Sequence, residues 1–137
     1  MELSKEKKVI VERHNKVVYD NGDTVVKVFN GSKPAADILN EGLNLARAEQ
    51  AGINVPTLTE ISKVGNSWAI ATLKVEGPAL RQLLKDHPEK TDELLDKFVD
   101  HELSVHAHRS ALLPRQRDKF ARMNNSIPDV LAEDARY

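Results

Sequence analysis

The pattern of apolar and polar positions splits this chain into a β-rich half and a helical half. Lys8 to Arg13 reads as a short strand, and Lys16-Val17-Val18-Tyr19 as a second strand after the turn Arg13-His14-Asn15. Asn21-Gly22 between β-branched runs predicts a hairpin with a type I′ turn, which needs positive φ at both central residues. The third strand, Thr24 to Phe29, organises the rest. Successive side chains alternate faces, so Val25, Lys27 and Phe29 share one side and Val26 and Val28 the other. Both sides are apolar, which predicts cover on both. An antiparallel meander of three strands follows.

Ser32 and Pro34 open a helix, as cap and first-turn residue, and Gly52 ends it after about Ala51. Asn54-Val55-Pro56 is an extended connector. Thr57 to Val64 and Ser67 to Val75 are strands four and five, joined by Gly65-Asn66. The run Trp68 to Leu73 is apolar on both faces, which predicts a central strand. Glu76-Gly77-Pro78 breaks the sheet. A short helix is expected from Pro78 to Lys85. A longer one, capped by Thr91, reaches about Ser110 with Leu95, Phe98, Val99, Leu103 and His106 on one broad face. Further helix is expected over Asp118 to Asn124 and from Pro128. The fold class is therefore α+β: a five-stranded antiparallel sheet with one packed helix, residues 1–76, then α-helices over 77–137.

Lys27 stands in the middle of a strand with apolar faces. It must reach water, lose its charge or meet a carboxylate. Glu41 is the best partner, because Ile38, Leu45 and Ala48 at i−3, i+4 and i+7 set it on the apolar face of the next helix. The plain alternative is a structural ion pair, or two side chains that reach water separately.

Composition narrows the function classes. The 137 residues carry 40% hydrophobic and 30% charged side chains, an ordinary globular balance. A net charge of −1 gives no field for nucleic acid or an anionic membrane. There is no cysteine, so disulfides, thiolate metal sites and thiol catalysis are excluded. No apolar run approaches the about 18 residues of a membrane span, and no signal-type leader is visible. A cytoplasmic location is expected. His101, His106 and His108 lack helical metal-pair spacing and read as one partly buried helix histidine and two solvated ones. Lys5, Lys7, Lys8, Arg115, Arg117 and Lys119 are interspersed with acids and read as solvated. Trp68 and Tyr19 read as sheet packing, and Glu133 and Asp134 as surface acids.

The element order, Val25-Val26-Lys27-Val28-Phe29, the helix bearing Glu41, Ala51-Gly52-Ile53-Asn54-Val55-Pro56 and Val75-Glu76-Gly77 together resemble the N-terminal lobe of protein-kinase-like phosphotransferases. The nearest likeness is to bacterial aminoglycoside phosphotransferase-type proteins, over about Lys8 to His108. The resemblance implies ATP or GTP with Mg2+ as cofactors and a small-molecule hydroxyl as phosphate acceptor. Lys27 would hold the α- and β-phosphates, and Glu41 would orient it. Thr72 to Val75 would be the hinge, with backbone groups of Leu73 and Val75 pairing with the base. Val25 would floor the base pocket and Val11 roof it.

Two departures stand out. The turn Arg13-His14-Asn15 holds no glycine, so phosphate contact would fall to Lys27 and turn amides. No His-x-Asp-x-x-x-x-Asn pattern occurs, so the catalytic Asp and the metal-binding residues of the family have no counterpart. The expectation is a piece of a longer kinase, inactive by itself. The alternative is a non-catalytic nucleotide- or protein-binding module, marked by an exposed apolar helix face that also permits self-association.

Overall fold

The computed structural model describes residues 1–113 together with 115, 117, 118, 120 and 121. Five strands, β1 (Lys8–Arg13), β2 (Lys16–Asp20), β3 (Thr24–Phe29), β4 (Leu58–Val64) and β5 (Ser67–Leu73), form one antiparallel sheet in the order β1-β2-β3-β5-β4. Helix α1 (Ala35–Gln50) packs on it, and α2 (Leu80–Asp86) and α3 (Thr91–Ala107) follow, with a 3-10 turn at Pro88–Lys90 between them. The architecture is α+β, with β5 in the interior of the sheet as its two-sided apolar run predicts.

Register determines which side chains share a face. Val11 lies opposite Val18, Val18 opposite Lys27, Lys27 opposite Ile70, and Ile70 opposite Ile61. One row of side chains therefore crosses all five strands on the side that carries Lys27. On this front face Phe29, Ile38 and Ile70 form a buried cluster, joined by Leu58, Ile61 and Trp68. On the rear face Val26, Ala69 and Ala71 are buried beneath Met1 and Leu3, with Val28 and Val64 of the same sheet packed beside them. The sheet is thus covered on both sides, by α1 in front and by the first residues of the chain behind. The cover stops short of β1, an edge strand whose Val9, Ile10 and Val11 are exposed.

Helix α1 comes close to the sheet because of Gly42. A Cβ at this buried position would overlap Ile61 Cδ1 on β4. Glycine costs helix propensity there, but it lets the backbone approach and carries Glu41, its neighbour in sequence, onto the sheet.

Local differences from the sequence expectation have local causes. The β2–β3 connection is not a type I′ turn: only Gly22 has positive φ, at 84°. Its N–H donates to Asp20 Oδ1 at 3.2 Å, the Asn21 N–H donates to the Thr24 carbonyl at 2.9 Å, and Asn21 Oδ1 accepts the Ser4 N–H at 2.6 Å. Side-chain oxygens thus hold a wider turn. Ser32 does not cap α1; Pro34 occupies the cap position, and the Ser32 hydroxyl donates to Asn30 Oδ1 at 2.5 Å. Thr91 does not cap α3 either, because its hydroxyl donates back to the Pro88 carbonyl at 2.7 Å and closes the 3-10 turn. β5 ends at Leu73 rather than Val75, and α3 ends at Ala107 rather than near Ser110. The helix expected from Pro128, and most of that expected over Asp118 to Asn124, lie outside the described residues, as do Lys119, Glu133 and Asp134.

Candidate functional site: a two-lysine carboxylate beside an apolar cavity

Alternation on β3 turns Lys27 to the front face, and helical spacing on α1 turns Glu41 to meet it. Lys27 Nζ lies 2.5 Å from Glu41 Oε1. The other carboxylate oxygen is also taken: Lys33 Nζ, from the link between β3 and α1, lies 2.6 Å from Glu41 Oε2. The side chains of Lys27, Glu41 and Lys33 are 31%, 32% and 24% exposed, so the cluster is sheltered without being dry. Both ammonium groups also face the ring of buried Phe29, at 5.9 Å from its centroid for Lys27 and 4.6 Å for Lys33, a favourable cation–π arrangement.

Burial pushes the Glu41 carboxyl up, but the hydrogen bonds and charges of Lys27 and Lys33 outweigh it and hold its pKa below the ordinary glutamate value. Glu41 is therefore ionised at neutral pH. Two ammonium groups against one carboxylate give the cluster a formal charge of +1.

Beside this cluster lies a cavity of about 310 Å³, lined by Val25, Lys27, Glu41, Leu45, Pro56, Ile70 and Thr72. Its size falls at the lower end of small-ligand sites. The walls come from alternate positions of β3 and β5, from α1, and from the connector before β4. An ammonium carries three donors; Lys27 spends one on Glu41, which leaves donors for a ligand anion.

The remaining sequence candidates sit around this centre. Val25 lines the cavity. Val11 shares the Lys27 row of the sheet but lies two strands away and does not line it. Leu73 ends β5; its N–H donates to the Thr57 carbonyl at 2.9 Å, so the carbonyl is its remaining backbone group. Val75 is exposed beyond the sheet. Between them, Lys74 donates its N–H to the Asp23 carbonyl at 2.9 Å and holds Asp20 and Glu76 with its ammonium, each at 3.1 Å. The segment after β5 is thereby tied to the β2–β3 turn. Hydrogen bonds from Lys74 to Glu76 and Asp20 raise the Lys74 pKa, and the Lys74 contact lowers that of Asp20.

Lys33 is the residue that sequence reasoning missed. It precedes α1, where helical spacing says nothing about direction. Ile70 and Thr72 as cavity walls were implicit in the alternation of β5, two residues apart on the Lys27 side.

Among the described residues no group of three His, Asp or Glu side chains is placed to hold a metal ion. Glu41 is the carboxylate at the cavity, and both its oxygens are held by lysines, so these residues do not fit magnesium. Among the helices of the described residues none is long and apolar enough to cross a membrane. No protein-family model matches the chain, and no curated protein matches it in sequence.

Proposed function

We propose that this chain is the nucleotide-binding part of an ATP- or GTP-dependent phosphotransferase that acts on a small-molecule hydroxyl, with a lobe like that of the aminoglycoside phosphotransferase-type proteins. One observation carries the reading: a strand lysine, held by a glutamate of the following helix, borders a cavity with mainly apolar walls. Such a cavity suits a flat base, and a cation at its side suits phosphate. In this reading the base packs along Val25, Ile70 and Thr72. The Leu73 carbonyl and the Val75 N–H provide an acceptor and a donor for the base edge. Lys27 takes the phosphate charge, and Glu41 keeps Lys27 from swinging away. Positioning and charge neutralisation account for most of what a protein contributes to phosphoryl transfer. These residues bind and orient. They include no base for the acceptor hydroxyl and no metal ligand, so no transfer step is assigned to them.

A second reading has its own support. Leu95, Phe98, Val99 and Leu103 on α3 are all exposed, as a non-catalytic nucleotide- or protein-binding module with an apolar contact face would require. Nucleotide titration of the isotopically labelled chain tests the first reading. ATP is expected to bind weakly, because these residues offer no metal ligand to help hold the phosphates, and to shift the amides of Val25, Ile70 and Thr72. Lys27→Ala should remove most of the ATP response and leave the fold intact. Equal binding by the variant would take Lys27 out of the site, and no ATP response in the wild type would refute the nucleotide reading.

A further inference from the structure

Glu41 poses an electrostatic problem for any anionic ligand of Lys27. A carboxylate within hydrogen-bond distance of the ammonium neutralises it and repels an incoming phosphate. With Lys27 alone as partner, the pair would be neutral. Lys33 changes that balance, since its ammonium occupies the oxygen of Glu41 that Lys27 leaves.

Lys33 is also held in place. Its link is fastened by Asn30: Oδ1 accepts the Ser32 N–H at 3.1 Å and the Ser32 hydroxyl at 2.5 Å, the Asn30 N–H donates to the Asn15 carbonyl at 3.0 Å, and Asn30 Nδ2 donates to the His14 carbonyl. Pro34 fixes the next φ. The Phe29 ring lies beneath the ammonium. These bonds set the path of the link, and the Glu41 oxygen and the ring hold the side chain itself, which is only 24% exposed.

We infer that Lys33 is a positioning residue for phosphate binding: by holding Glu41 Oε2 and cancelling its charge, it leaves the Lys27 ammonium available to the phosphates of a nucleotide. Lys33 does not line the cavity and acts through Glu41. The inference rests on the nucleotide reading and adds a residue to it.

The test compares ATP, free of divalent metal, with adenosine in NMR titrations of wild type, Lys33→Met and Lys33→Arg, with thermal melting as the check on folding. Lys33→Met should weaken ATP binding by about three- to fivefold, the range of a part-exposed charge pair, and leave adenosine unchanged. Lys33→Arg should recover most of the ATP affinity. The difference between wild type and Lys33→Met should shrink at roughly 0.5 M salt, where screening shortens the reach of charge. An equal loss for ATP and adenosine would make Lys33 a structural lysine, and no loss for either would make it a bystander; both outcomes overturn the inference while the nucleotide reading stands. Failure of the wild type to bind either ligand overturns the reading and the inference together.

Discussion

Replacing Glu41 by Gln removes one charge and keeps the shape, so it isolates what the carboxylate contributes to stability. Two cations lie on its two oxygens, at 2.5 and 2.6 Å. Its side chain is about one-third exposed, which places each pair near the upper end of surface ion pairs rather than among buried ones. Each such pair is worth about 0.5–1 kcal/mol. Loss of both costs about 1–2 kcal/mol, and the two lysines left facing each other keep the sum toward the higher figure. For a domain of this size that is a fall of about 4–8 °C in Tm. The effect should also have a pH signature. The folded-state pKa of Glu41 lies below the ordinary value of 4.5. A depressed carboxylate stabilises fully above the unfolded pKa, and the contribution fades as pH drops through the folded one. The stability gap between wild type and Glu41→Gln should therefore be constant from about pH 6 to 8 and close progressively below pH 4.5. Urea denaturation followed by circular dichroism, repeated across that range, measures the gap. A gap near zero at pH 7, or one as wide in acid as at neutrality, would refute the assignment of a stabilising two-lysine carboxylate.

Two further substitutions probe the packing that carries Glu41 to the sheet. Ile38→Ala opens the front cluster at a residue only 1% exposed, and should cost about 2–5 kcal/mol with an unchanged denaturant slope. Gly42→Ala sets a methyl group against Ile61 on β4; the strain should exceed the gain in helix propensity and cost about 1–3 kcal/mol, read as a lower urea midpoint.

Much of this fold is written in simple periodicities. The alternation of β3 separates Lys27 from Val26 and Val28, and the spacing of Ile38, Glu41 and Leu45 aims the carboxylate at the same side. Those two regularities meet in space because β3 runs directly into α1 through a short link. What the sequence does not reveal lies in irregular backbone. Ser32 and Thr91 have the chemistry of caps, yet each hydroxyl finds an earlier partner and serves a turn instead. Lys33 sits in a link with no repeat to indicate its direction, so its bond to Glu41 depends on the path set by Asn30 and Pro34. The apolar stripe of α3 was readable as a stripe, but periodicity identifies a face without saying whether the described chain covers it. Here Leu103 and Phe98 are left exposed.

The row Val11, Val18, Lys27, Ile70 and Ile61 means that the position of the lysine is decided by counting residues along strands. Deleting one residue within β3 on the turn side of Lys27 would send its ammonium toward Met1 and Leu3 and bring a valine to Glu41. A residue added to the Asn21–Asp23 turn would lie outside the ladder and leave the faces unchanged, at the cost of the bonds between Asn21 and Ser4 and between Asp23 and Lys74. Length variation should thus be far less tolerated inside the strands than at the hairpin tips, which gives a criterion for separating functional homologues from look-alikes when longer or shorter versions of this sequence are compared.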